Sequence, residues 1–212
     1  KRLLVDTPPD LRQQLTGQGI GRIDAILYTH SHADHIAGLD EVRILNRLLG
    51  APMPGYANAK TWAELHQRFD YAFKPYQGGF FSRPVFDART ICAGKETDML
   101  GLKMRFFDQD HGYSRSLGLR VGDFAYCTDV VRFDDATLDA LRRLDVFVVG
   151  CFTSAGPHPT HANLDTVLSW VARIRPRRTI LTHMGPDMDY RTLCQSLPHG
   201  VEPGYDGLEI DI

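Results

Sequence analysis

The stretch LYTHSHADHIAGLDEV, residues 27–42, decides how the rest of the chain is read. His30, His32, Asp34 and His35 fall within six positions, in a chain with nine histidines in all. Imidazole is a poor core filler and a common metal ligand, so this density points to a metal site. The preceding IDAILYT has the look of an apolar strand. After the cluster, Ile36, Leu39, Val42, Leu45, Leu48 and Leu49 form a helical stripe. The cluster therefore sits on a strand-to-helix loop, with Asp34 and His35 at the helix start. Residues i and i+2 of an extended loop can converge on one ion while the next pair turns toward another.

Working outward, further strand patterns end in ligand-type residues. RLLVDT ends near Asp6, RFFDQDH at His111, FAYCTD at Asp129 and TILTH at His183. Strands that end on one sheet edge bring their tips to a shared cleft. The ligand count suggests two ions. His30, His32 and His111 make one set, and Asp34, His35 and His183 make another, with Asp129 able to bridge through its two oxygens. Imidazole and carboxylate without thiolate suit two divalent ions such as zinc or manganese. Asp6 is placed to support the His-rich loop, or else to cap the turn that follows it.

The remaining pattern is a mixed α/β one. PPDLRQQL suits a helix with Asp10 as cap, and TWAELHQRF carries Thr61 and Glu64 at capping-box spacing. Residues 50–101 are turn-rich and aromatic and read as a lid or insertion over a cleft. LKMRFFDQDH alternates like a strand, and SLGLRVGDFAYCTD reads as a hairpin turning at Gly122-Asp123. NLDTVLSWVARI is a helix capped by Asn163, and GLEIDI alternates like an edge strand. Strands and helices interleave, while the hairpin rules out a purely parallel sheet.

Composition narrows the function classes. The 212 residues carry 24 basic and 26 acidic side chains, a net charge of −2 that argues against a protein built around non-specific nucleic-acid binding. RIRPRR, residues 173–178, is a local basic run that reads as a solvated helix end. Cys92, Cys127, Cys151 and Cys194 are far apart, which fits a reduced, cytoplasmic setting better than a disulfide scaffold. No apolar run approaches the roughly 20 residues of a membrane span. KRLLVDT opens inside a strand, so the chain is expected to lack its first strands.

THSHADH matches the HxHxDH signature of the metallo-β-lactamase superfamily, and the later lone His, lone Asp and late His continue that family's pattern. The chain resembles the family from end to end, its N-terminal strands aside. The resemblance implies a single domain over residues 1–212 with the four-layer αββα sandwich fold and a dinuclear site. It assigns His30, His32, Asp34, His35, His111, Asp129 and His183 as ligands, with Asp34 also in the catalytic set. Finer motifs, among them DQDHG, HPTHANLDTVL, LTHMGPDMDY and LPHGVEPGYDGLEI, resemble the branch of phosphoribosyl 1,2-cyclic phosphate phosphodiesterase, which is close to the tRNA 3′-processing endonuclease.

That resemblance implies hydrolysis of a phosphodiester by a hydroxide held between the metals, with His161 protonating the leaving oxygen. It also places His158 and Tyr205 at the substrate, although His158 could equally orient the HPTH turn. His66 and His199 read as structural or surface residues. The expected substrate is a small cyclic phosphate or nucleotide-like diester, with a homodimer as the expected assembly and no membrane partner. Three rivals remain: a tRNA 3′-endonuclease, another hydrolase such as a lactonase, and a non-hydrolytic redox or nucleotide-binding relative. No basic tRNA-gripping arm is evident, so nucleic acid is not the favoured substrate.

Overall fold

A computed structural model describes residues 1–212. They form two compact units, Lys1–Cys92 and Ala93–Ile212. Each unit is a β-sheet with its own helices, so the architecture is mixed α/β with two helix-flanked sheets, the αββα class.

The first unit runs β1 (Leu3–Val5), α1 (Leu11–Gly17), β2 (Ala25–Leu27), α2 (Ala33–Ile36), α3 (Val42–Leu49), β3 (Met53–Ala57), α4 (Ala59–Arg68) and β4 (Phe86–Thr90). Its four strands are parallel and lie in chain order. Parallel strands are normally covered on both faces, and β2 is wholly buried. Tyr28, Ile36, Leu39, Val42, Leu45, Trp62 and Phe86 pack around β2 and β3. The stretch 50–101 therefore differs from its reading as a lid: residues 53–57 and 86–90 are strands of this sheet, and Trp62 and Leu65 are core. Its Gly and Pro residues mark turns between short strands. The cap of α4 is Asn58, three residues before Thr61, and it accepts from Thr61 N–H (2.7 Å). Asp10 flanks α1 without capping it and accepts from Gln14 Nε2 (3.0 Å) instead.

The turn after β1 is laced to the end of α2. Thr7 N–H donates to His35 O (2.7 Å), and Gly38 N–H donates to Thr7 O (2.9 Å). A Cβ at Gly38 would stand 2.0 Å from Pro8 O, a backbone atom that cannot swing away. Gly38→Ala is expected to destabilise the protein by about 1–3 kcal/mol through this overpacking. A thermal melt should show Tm lowered by about 2–12 °C.

The second unit runs β5 (Glu96–Met99), β6 (Leu102–His111), β7 (Ser114–Val121), β8 (Phe124–Cys127), α5 (Asp135–Ala140), β9 (Val146–Gly150), α6 (Leu164–Ile174), β10 (Arg178–Thr182), α7 (Tyr190–Ser196) and β11 (Val201–Pro203). The sheet order is β11-β10-β9-β8-β7-β6-β5. β5 to β8 are antiparallel neighbours, and β8 to β11 are parallel. The hairpin turns at Gly122-Asp123 as its sequence dictates, with Val121 opposite Phe124. One face packs Phe107, Phe147, Val149 and Leu181 against Val167, Trp170 and Leu193 of α6 and α7. Asn163 caps α6 by accepting from Thr166 N–H (2.9 Å).

GLEIDI does not become the expected edge strand; β11 occupies that edge. Leu208 and Ile210 instead pack on Val146, Val148 and Ile180, so the alternation reflects a segment lying over a sheet face.

Candidate metal centre

In the first unit, parallel β1 and β2 deliver Asp6 and His30 to the same sheet edge. Asp6 is buried and left-handed (φ 62°), a conformation that Asp tolerates better than most residues. Its Oδ1 accepts from Thr29 N–H (2.7 Å), and its Oδ2 accepts from Thr29 Oγ1 (2.7 Å) and faces His35 Nδ1 (2.7 Å). His30 Nδ1 in turn lies 3.0 Å from Thr29 Oγ1. The directions follow from the carboxylate, which only accepts. Thr29 O–H and His35 Nδ1–H donate to Asp6, and His30 Nδ1–H donates to the threonine oxygen. One carboxylate thus fixes the tautomer of two imidazoles and leaves both Nε2 atoms as lone-pair ligands. Burial pushes the Asp6 carboxyl above the ordinary carboxylate range, opposed by His35 and Thr29.

The rings of His30 and His35 lie 4.2 Å apart and those of His30 and His32 4.5 Å apart, so the motif histidines cluster as read. Asp34 Oδ2 is 3.4 Å from His35 Nε2. Ser31 is held from α4: its hydroxyl donates to Glu64, and its carbonyl accepts from Arg68 Nη1 (2.8 Å). Asp6→Asn keeps one oxygen for the backbone N–H of Thr29 and sets an NH2 where Oδ2 now accepts from both Thr29 O–H and His35 Nδ1–H. It is expected to weaken metal affinity about 10–100-fold, as measured by chelator competition.

In the second unit, β6 and β8 run the same way because each is antiparallel to β7, and β9 and β10 follow β8. His111, Asp129 and His183 therefore leave the sheet at one edge. Asp129 (φ 50°) and His183 (φ 52°) are both left-handed, an uncommon and costly conformation for residues other than glycine. His111 Nδ1–H donates to Thr160 O (2.7 Å), which reserves its Nε2 as a ligand. His111 Nε2 and His183 Nε2 stand 3.6 and 3.5 Å from the same atom, Asp129 Oδ2. Those distances are long for hydrogen bonds. They are close to the roughly 3.3 Å separating two tetrahedral ligands that each sit about 2.0–2.1 Å from an ion. The donor set therefore fits divalent metal.

Residues that the sequence reading missed hold this arrangement. Gln109 Nε2 donates to Thr128 O (2.7 Å) and to Ser116 Oγ (2.9 Å). Ser116 Oγ donates to Asp129 O (2.8 Å), and Thr128 Oγ1 donates to Asp129 Oδ1 (2.7 Å). With Oδ1 engaged, Oδ2 is the oxygen turned to the histidines. The available signal was Gln109 itself, a polar residue on the inward register of the alternating LKMRFFDQDH strand.

His161 lies on the loop after β9, half-buried. Its ring stacks on Phe152 (4.7 Å, 22°) and His183 (4.9 Å, 21°) and approaches His111 edgewise (4.8 Å, 64°). His158 Nδ1 accepts the backbone N–H of His161 (3.2 Å), so of its two readings the turn-orienting one has a contact. The loop seats on Gly112, where a Cβ would meet Pro159 O at 2.5 Å. Burial pushes His161 down to about 4, with Asp129 opposing it and His183 and His111 adding to it. The ring that the resemblance casts as proton donor is therefore neutral near pH 7 in the free protein. Tyr205 follows β11 and is exposed, with its ring edge-on to Tyr190 (6.3 Å). His66 stacks on Phe73 (4.0 Å). No helix is long and apolar enough to cross a membrane.

Residues 1–184 match the family described as the β-lactamase superfamily domain. The crystal structure of a new diphosphatase from the PhnP family superposes with a TM-score of 0.89 at 35% identity, over 99% of this chain and 79% of that one. The octanoyltransferase of Porphyromonas gingivalis is 27% identical over 214 residues; the match takes in 99% of this chain but only 42% of that protein's length. The anti-Pycsar protein Apyc1 of Paenibacillus harenae is 29% identical over 88% of this chain and 80% of that one.

Proposed function

This chain belongs to the metallo-β-lactamase superfamily and, within it, to the PhnP family, and on that premise we propose that this metal-dependent hydrolase cleaves a small phosphodiester. The substrate class is a cyclic phosphate or nucleotide-like diester. The observation that supports this reading most is the ligand grouping. Each unit gathers ligand-type side chains at its strand ends: His30, His32, Asp34 and His35 in the first, and His111 and His183 facing Asp129 Oδ2 in the second. Two divalent ions, zinc or manganese, would be held by these residues, with Asp129 as the carboxylate in common.

When bound, such a pair supplies a water made acidic enough to act as nucleophile at neutral pH and positive charge for the phosphoryl oxygens. The chain's own residues do the rest. Asp6, Thr29 and Thr160 fix the imidazole tautomers. Asp34 completes the second ligand set at the solvent side, where its side chain is 60% exposed. His161 carries a proton to the departing alkoxide oxygen, and the Phe152 stack and the His158 turn hold its ring for that task. His158 acts through the loop, and Tyr205 contacts the substrate. The four cysteines are all free thiols, in keeping with a cytoplasmic setting.

A second reading comes from the similar PhnP-family structure, that of a diphosphatase: the scissile bond would be a phosphoanhydride. One assay separates the two. Zinc- and manganese-loaded protein is tested on cyclic phosphates, linear diesters, a nucleoside diphosphate derivative, a tRNA precursor and a lactone. Turnover of diesters is the expected result; turnover of the anhydride alone would replace the first reading with the second. Chelation should abolish turnover and lower Tm, with both restored on reloading, because metal that binds only the folded state adds its binding energy to stability.

A further inference from the structure

Past β10, the C-terminal segment returns along the same strand end that carries His183. Gly204 N–H donates to Leu181 O (2.8 Å), extending the β10–β11 ladder beyond its last paired residues. A Cβ at Gly204 would stand 2.9 Å from that oxygen and 3.1 Å from Ile180 Cγ2. The backbone is therefore seated directly on β10, and a side chain here would lift it off. That seating sets Tyr205 and Asp206 in the lining of a cavity of about 380 Å³ that also includes His183. Its apolar lining comes from Val148, Ile180, Leu208 and Ile210, which pack as one cluster.

Two features of this cavity point to its occupant. Tyr205 remains 58% exposed, although it borders apolar surface that could cover it. An open aromatic face beside an apolar cavity of ligand size is a stacking surface for a flat ring. Asp206 is exposed and makes no hydrogen bond or ion pair. A free carboxylate accepts from hydroxyls and repels further negative charge.

We propose that this cavity receives the uncharged, ring-bearing arm of the substrate, a nucleoside, with Tyr205 stacking on the base and Asp206 accepting from the sugar hydroxyls. The assignment rests on the diester chemistry proposed above and narrows it. His183 in the same lining places the scissile phosphate next to the arm. An arm that ends in another phosphate is disfavoured by Asp206.

The test compares substrates that share a leaving group. Metal-loaded wild type, Tyr205→Ala, Tyr205→Phe and Asp206→Lys are assayed on the p-nitrophenyl ester of thymidine monophosphate and on methyl p-nitrophenyl phosphate. The wild type should prefer the nucleoside ester. Tyr205→Ala should reduce that preference, read as the ratio of kcat/KM values, by about 10-fold or more. Tyr205→Phe should keep it, which separates lost stacking from local unfolding. Asp206→Lys should raise turnover of an ester whose arm carries an additional phosphate. An unchanged ratio in Tyr205→Ala, or no preference in the wild type, overturns the assignment. A wild type that hydrolyses neither ester while cleaving a phosphoanhydride removes the diester reading, and this assignment with it.

Discussion

Asp129→Asn is expected to lower kcat/KM by at least about 10³-fold and to strip most of the bound metal from the purified protein. Asn is the informative substitution. Asp129 is left-handed, and Asn tolerates that region nearly as well, whereas Ala would add a backbone penalty of about 1–2 kcal/mol to the chemical effect. The side-chain shape also survives, so the Thr128 hydroxyl can still meet an oxygen where it now meets Oδ1. What is lost is the charge at the position of Oδ2, the atom that both His111 and His183 face. An amide nitrogen there has no lone pair to offer an ion, and an amide oxygen carries no net charge to offset two cations. Elemental analysis and steady-state kinetics on the same preparation check both halves of the expectation. Full metal content with full activity would remove Asp129 from the centre. Full metal with lost activity would make it a charge-balancing residue rather than a ligand.

The sequence made the candidate ligands legible because metal chemistry forces a short list of residue types into unusual places. Three histidines in six positions have no ordinary structural use, and His111, Asp129 and His183 each end an apolar run. What holds those ligands was less visible. Asp6 could be read two ways until Thr29 and His35 were seen to converge on it. Ser116 and Thr128 look like any strand-end hydroxyls, and only pairing register brings Gln109 beside them. The left-handed turns at Asp6, Asp129 and His183 left no trace in composition, since none is a glycine. Where the reading went astray, a local pattern had two physical causes. GLEIDI alternates because it lies on a sheet face, and Thr61-Glu64 mimics a cap because Asn58, three residues earlier, is the true one. The Gly- and Pro-rich stretch after residue 50 resembled a lid because short parallel strands need frequent turns.

His161→Ala is expected to slow hydrolysis of diesters with alkoxide leaving groups by about 10²–10⁴-fold while metal content stays unchanged. The leaving group supplies the discriminating readout. An alkoxide is a strong base and needs a proton as it departs; p-nitrophenolate is not and does not. A proton donor therefore matters far more for the first substrate class, whereas a residue that merely shapes the loop would slow both classes alike. Burial holds His161 at about 4 in the free protein, so at neutral pH only about one ring in a thousand carries the proton before substrate binds. A bound phosphodiester anion beside the ring favours the charged form and draws that proton in. The same displacement has a consequence for stability. The unfolded chain binds the proton near 6.5 and the folded one near 4. Between those values the unfolded state holds more protons, so metal-free protein should lose stability as pH falls through this window and regain it above. The effect is moderated because the ring is only half-buried. His161→Gln, which cannot titrate, should flatten that portion of the stability profile in urea melts taken from pH 7 down to pH 4. A slope identical to wild type would mean that another group titrates there.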